Sequence, residues 1–104
     1  MRKKIDSYLG FAKRSRNLLM GYNTCLLAMN KRKIKLLIVA DDVSENTMKK
    51  MVGSAEEHQV VYRIYSTCDE LSQACGTMGR GVFGITDQNF ANVILKEIDE
   101  NQSI

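Results

Sequence analysis

Asp41 and Asp42 are the first residues with the makings of chemistry. They follow the apolar run Leu36–Ala40, and in open α/β sheets ligands bind beyond the carboxyl ends of the strands. Two carboxylates there could hold magnesium or accept a phosphoryl group. The structural alternative is a turn whose carboxylates accept from the backbone N–H groups opening the next helix. No Lys or Thr is placed to assist a phosphoryl transfer, so the structural reading is preferred. Gly76, Gly79, Gly81 and Gly84 could turn backbone N–H groups toward phosphate, or could serve tight turning alone. No Lys-Ser or Lys-Thr follows them, so they form no Walker loop. His58 falls at an expected helix end and reads as a C-terminal cation rather than a base. The three cysteines, Cys25, Cys68 and Cys75, contain no CxxC and lie far from the one histidine. They read as reduced, mostly buried thiols, with no metal site and no cofactor.

Charge carries more information than these candidates. Residues 1–35 hold ten basic side chains against the single acid Asp6, a formal +9. The rest of the chain holds five against eleven, a formal −6, which returns the net +3. The cations fall in three clusters: Arg2–Lys4; Lys13, Arg14 and Arg16; and Lys31, Arg32, Lys33 and Lys35. Such one-sided charge is the footprint of a polyanion binder.

Stepping through the elements, Ile5, Tyr8, Leu9 and Ala12 recur at three and four residues and form one helical stripe. Asn17–Gly21 reads as a short strand or turn. A second helix is expected over about Asn23–Lys31, with Asn23 as N-cap. Lys35–Ala40 is apolar throughout, as expected of a strand covered on both faces. The turn 41–45 leads to a helix at about Asn46–His58, with Met48, Met51, Val52 and Ala55 inward. Val60–Tyr65 is β-branched and aromatic and reads as a strand. Thr67 and Glu70 stand at capping-box spacing before a short helix that ends at Cys75. A glycine-rich loop leads into the strand Val82–Thr86. Thr86 or Asp87 then caps a last helix striped by Phe90, Val93, Ile94 and Ile98, with a frayed polar tail after about residue 100. This alternation predicts an α/β fold, a sheet with helices on both faces. With 104 residues, 44% hydrophobic and 26% charged, the chain fits a single soluble domain over 1–104. No apolar stretch approaches the ~20 residues of a membrane span, and no apolar signal segment follows Arg2–Lys4. A cytoplasmic location is the expectation.

The segments LGFAKRSRNLLMGYN, KIKLLIVADDVSENT, STCDELSQACG and GVFGITDQNFANVI, in that order, resemble the kink-turn RNA-binding ribosomal proteins of the L7Ae family, and more closely its bacterial YlxQ branch. VADDVSENT and ITDQNFA are the most specific matches. The resemblance covers nearly the whole chain. It implies a three-layer α-β-α sandwich around a small, mixed, four-stranded sheet. It also implies RNA contact through the start of the second helix, at Gly21, Asn23 and Thr24, and through the loop Met78, Gly79, Arg80, Gly81 and Val82. Asn23 would read a purine edge, Arg80 would reach RNA, and Val82 or Met78 would cover an exposed base. Two positions depart from the family pattern: Thr24 stands where a Glu is usual, and Leu27 where a Lys is usual. Lys13, Arg14, Arg16, Lys31, Arg32 and Lys33 would compensate through phosphates. The expectation is a non-enzymatic protein that binds structured RNA (ribosomal or kink-turn), associated with the ribosome, with neither DNA nor membrane as partner. The alternatives are a protein adaptor for the translation or transcription machinery, whose acidic half meets a basic partner, and a magnesium-dependent, receiver-like domain built on Asp41 and Asp42.

Overall fold

The computed structural model describes residues 4–102. The elements run α1 (Lys4–Arg14), β1 (Leu18–Met20), α2 (Tyr22–Asn30), β2 (Leu36–Val39), α3 (Glu45–Glu57), β3 (Tyr62–Ile64), α4 (Cys68–Ala74), β4 (Val82–Ile85) and α5 (Gln88–Gln102). The sheet order is β1-β4-β2-β3. β4 runs antiparallel to both β1 and β2, with Leu19 and Leu37 each opposite Gly84, while β3 lies parallel to β2. The sheet is therefore mixed.

Strand alternation explains why the central strands are apolar throughout. Side chains on successive strand residues point to opposite faces. Leu36 and Ile38 of β2, with Phe83 and Ile85 of β4, join one core with Ile5 and Leu9 of α1, Leu71 of α4, and Ile94 and Ile98 of α5. Leu37 and Val39, with Val82, join a second core with Cys25 and Met29 of α2 and Met51 and Ala55 of α3. The result is the expected three-layer α-β-α sandwich. Each fully buried Leu, Ile, Val, Met or Phe among them contributes about 1.5–3 kcal/mol. β3 closes one edge, leaving Val61 and Ile64 exposed. Arg63 ties this edge to α5, its Nε donating to Asp99 Oδ1 at 2.8 Å.

Four helices end the same way. In α1, α2, α3 and α4 the second residue past the helix, Arg16, Arg32, Gln59 or Gly76, takes a positive φ. Its N–H and the next one turn back to carbonyls of the last turn, for example Arg16 N–H to Lys13 O and Asn17 N–H to Ala12 O. These are Schellman closures, which satisfy carbonyls that would otherwise lack partners. At the other ends, Ser44 Oγ accepts from Thr47 N–H at 3.1 Å, Thr67 Oγ1 from Glu70 N–H at 3.2 Å, and Asp87 Oδ2 from Phe90 N–H at 2.9 Å. Glu70 does not complete a capping box; its carboxylate accepts from Ser66 Oγ.

Several expected boundaries shift. β2 and β3 are shorter than their apolar runs. Val93 is 40% exposed, and Ala91 takes its expected place in the core. α5 continues to Gln102, past the expected frayed end. Residues 103–104, and Arg2 and Lys3 of the first basic cluster, lie outside the described residues.

Candidate RNA interface

The start of α2 is built by Gly21, not by Asn23. Gly21 is the N-cap, with φ 107° and ψ 155°, a conformation that suits glycine. It lets the chain turn from strand to helix within one residue. Its N–H donates to Val82 O at 2.9 Å, continuing the strand pairing, and its carbonyl accepts from Cys25 N–H at 3.0 Å. Asn23 is thus one residue inside the helix. No side chain caps α2, and its first turn holds no acid. The other helices each have an acid in the first turn or a side-chain cap. Tyr22, Asn23 and Thr24 are exposed there. Their N–H groups precede the helix ladder, where the positive end of the dipole favours anions.

The loop between α4 and β4 is brought against this helix start. An Arg80 guanidinium nitrogen lies 3.1 Å from where a Cβ on Gly21 would stand. The loop is held by Ser72, the buried polar residue at 2% exposure. Its hydroxyl donates to Arg80 O at 2.9 Å and accepts from Arg80 N–H at 3.0 Å. Nothing in the sequence pattern singles out Ser72, because its partner is eight residues away in a loop without periodicity. Gly79 has a positive φ of 68°. Gly81 has none, but a Cβ there would meet Val43 at 2.6 Å and Cys68 Sγ at 2.8 Å. Gly81 therefore serves close packing, and Gly84 does likewise against Ile34.

Met78, at 88% exposure, is free to cover a base, but Val82 is buried at 3%. Of the two residues expected to cover a base, Met78 is thus the accessible one and the side chain of Val82 is withdrawn. Its side chain belongs to the core, and only its carbonyl serves the site. Leu27 is 57% exposed, because Cys25, Ala28 and Met29 already fill the inward face of α2.

The basic clusters divide. Lys13 Nζ donates to Gly76 O at 3.2 Å, which places the end of α1 against the opening of the 76–81 loop. Arg14 stacks over Phe11, 4.8 Å from its centroid, and Arg16 follows, exposed. Lys31, Arg32 and Lys33 lie at the far end of the nine-residue α2, about 13 Å from its start. They are not part of the same constellation.

Asp42, His58 and the cysteines have the following surroundings. Asp42 Oδ1 accepts from Cys68 N–H at 2.8 Å. It therefore braces the start of α4, whereas the sequence had pointed to α3; Ser44 caps α3. Hydrogen bonds from the Cys68 thiol, and then from its N–H, hold the Asp42 carboxyl below its ordinary 3.8. Among the described residues no group of three or more His, Cys, Asp or Glu is placed to hold a metal ion. His58 caps the end of α3, with Nδ1 2.9 Å from Ser54 O, and its Nε2 lies 3.0 Å from Asn30 Oδ1 on α2. All three cysteines are free. Burial pushes the Cys25 and Cys75 thiols up to about 12. Burial, then the hydrogen bond to Asp42, takes Cys68 to about 11. No helix of the described residues is long and apolar enough to cross a membrane.

Known proteins resemble this chain in sequence and fold. The chain is 30% identical over 91 residues to the RNA-binding protein YlxQ of Bacillus subtilis (strain 168), covering 88% of this chain and 91% of that one. To the RNA-binding protein YlxQ of Enterococcus faecium it is 34% identical over 91 residues, 86% of each chain. A solved protein of unknown function from Bacillus halodurans C superposes with a TM-score of 0.91 at 28% identity, covering 94% of this chain and 99% of that one. The Giardia lamblia 15.5kD RNA binding protein shares the fold, with a TM-score of 0.78 at 18% identity over 96% of this chain and 89% of that one. Residues 3–95 match the sequence pattern of one family. On that match, and on the sandwich it shares with the solved relatives, the chain belongs to the ribosomal protein L7Ae/L30e/S12e/Gadd45 family.

Proposed function

We propose that this chain binds structured RNA of the kink-turn class, a ribosomal RNA among the candidates, and catalyses no reaction. The observation that carries this reading is the uncapped start of α2, exposed and free of acid, with Arg80 lying over Gly21. Backbone N–H groups and the helix dipole receive a phosphate. Asn23, exposed on the first turn, offers an amide to a purine edge. Arg80 supplies a charge-assisted, bidentate donor, and Met78 covers an unstacked base. The naming of the two bacterial relatives as RNA-binding proteins supports the reading. So does the basic character of residues 1–35. The role of Asp42 in bracing α4 favours a structural assignment for the acidic pair over magnesium chemistry.

Fluorescence anisotropy with a kink-turn hairpin and an unbent control duplex tests it. Wild type should prefer the kink-turn, and Asn23→Ala and Arg80→Gln should each weaken that binding by about 1–3 kcal/mol. Undiminished selective binding by both variants would place the site elsewhere.

A further inference from the structure

Beside the 76–81 loop lies a cleft between α1 and the end of α4. It measures about 390 Å³ and is lined by Ser7, Phe11, Lys13, Arg14, Gln73 and Gly76, among others. Clefts of this size take small molecules or single nucleotides. Ser7, Phe11 and Arg14 share one face of α1 because they stand three and four residues apart. Phe11 is 51% exposed, and the Arg14 guanidinium lies over its ring. No acidic side chain lines the cleft. Among the described residues the ion pairs are Lys49–Glu45 and Arg63–Asp99, so neither Lys13 nor Arg14 is held in one. Asp6, the one acid on α1, lies near Cys75 on the cleft wall, as does Lys13, so two cations face one neighbouring acid.

An aromatic face, a planar cation and a second cation suit a nucleotide: a base stacks on the ring or the guanidinium, and its phosphate meets the charges. Ser7 and Gln73 add hydroxyl and amide groups for the base edge. The cleft also adjoins the loop that carries Arg80. Lys13 holds Gly76, and Gly76 is four residues from Arg80, at most ~14 Å of extended chain.

We propose that this cleft seats an unpaired nucleotide of the bound RNA, a single-stranded extension that leaves the structured part beside Arg80. This rests on the RNA reading of the α2 start. The base stacks on the Arg14 guanidinium, which the Phe11 ring backs from beneath, and the backbone runs past Lys13.

The test uses the whole chain and a kink-turn hairpin, bare or carrying six adenosines at either end. For wild type, one of the two extensions should tighten binding roughly 5- to 100-fold, the range of one stacked base. Phe11→Ala should abolish that gain while leaving the bare hairpin within about twofold, and Phe11→Tyr should keep it. Because Phe11 is half exposed, the alanine variant leaves the core intact. A gain that survives Phe11→Ala, or no gain from either extension on a hairpin that wild type binds, overturns the cleft and leaves the α2 site standing. Phe11-dependent binding of an extended RNA alone supports the cleft and overturns the α2 site. Binding of none of the RNAs overturns both.

Discussion

Thr24 and Leu27 decide how selective the α2 start can be. Thr24 is exposed on the first turn but carries no charge, and Leu27, 57% exposed, offers neither donor nor cation. On the proposed reading, selectivity would therefore rest on Asn23, Arg80 and the backbone N–H groups. Thr24→Glu with Leu27→Lys should raise affinity for a standard kink-turn by ~1–3 kcal/mol, through charge-assisted contacts with guanine and phosphate. Glu in a first turn also suits the dipole, so the double variant should melt no lower than wild type. Unchanged affinity by anisotropy would show that neither position faces the RNA. Ser72 sets a second test. Ser72→Ala leaves Arg80 N–H and C=O without their partner and should cost about 1–3 kcal/mol in urea unfolding. RNA binding should weaken as well, because Arg80 is no longer held over Gly21. Loss of stability with full RNA affinity would mean that the loop needs no fixed position. The two departures at Thr24 and Leu27 were legible in the sequence because a family pattern fixes what to expect there. Ser72 was not, since a serine inside a short helix looks alike whether or not a loop returns to it.

At the scale of elements, types were legible and ends were not. The run 36–40 read as a two-sided strand because both faces of the sheet are covered, and the structure divides its side chains between two cores. The start of α2 was misread because Asn23 is a good capping residue, while Gly21, two residues earlier, can adopt a backbone that carries strand pairing directly into the helix. The Asp42 brace was equally hidden: its partner, Cys68, is 26 residues away. The helix closures give a test remote from the RNA face. Gln59 has φ 57°, where a side chain is strained and glycine is not. Gln59→Gly should raise stability by about 0.5–1 kcal/mol in urea unfolding; a loss would mean that the glutamine itself holds the closure. Asp42 gives a pH test. Its carboxyl lies below 3.8 in the folded chain, so its contribution is present above that value and is lost as pH falls through the lowered one. Asp42→Asn keeps an acceptor for Cys68 N–H but carries no charge. Wild type should therefore melt above the variant at pH 6, and the gap should close toward pH 3. A gap independent of pH would remove the charge from the account.

For the whole molecule, the question is how the charge of residues 1–35 reaches the RNA. The structure sets the end of α1 beside the 76–81 loop and leaves Lys31, Arg32 and Lys33 about 13 Å from the α2 start. On the proposed RNA reading two kinds of contact are expected: a local set at Arg80 and the α2 start that positions the kink, and a remote set that meets phosphates of any neighbouring helix. If four phosphates are engaged in all, affinity should fall roughly 10²-fold between 50 and 200 mM salt. Replacing Lys31, Arg32 and Lys33 by Gln should weaken the kink-turn and the control duplex by the same factor and flatten the salt dependence. Arg80→Gln should instead narrow the preference for the kink-turn over the duplex. The two sets separate because phosphate contacts add affinity without sequence information, whereas contacts at a kink require its shape. If the triple variant lost kink-turn selectivity and Arg80→Gln kept it, the far end of α2 would be the reading surface.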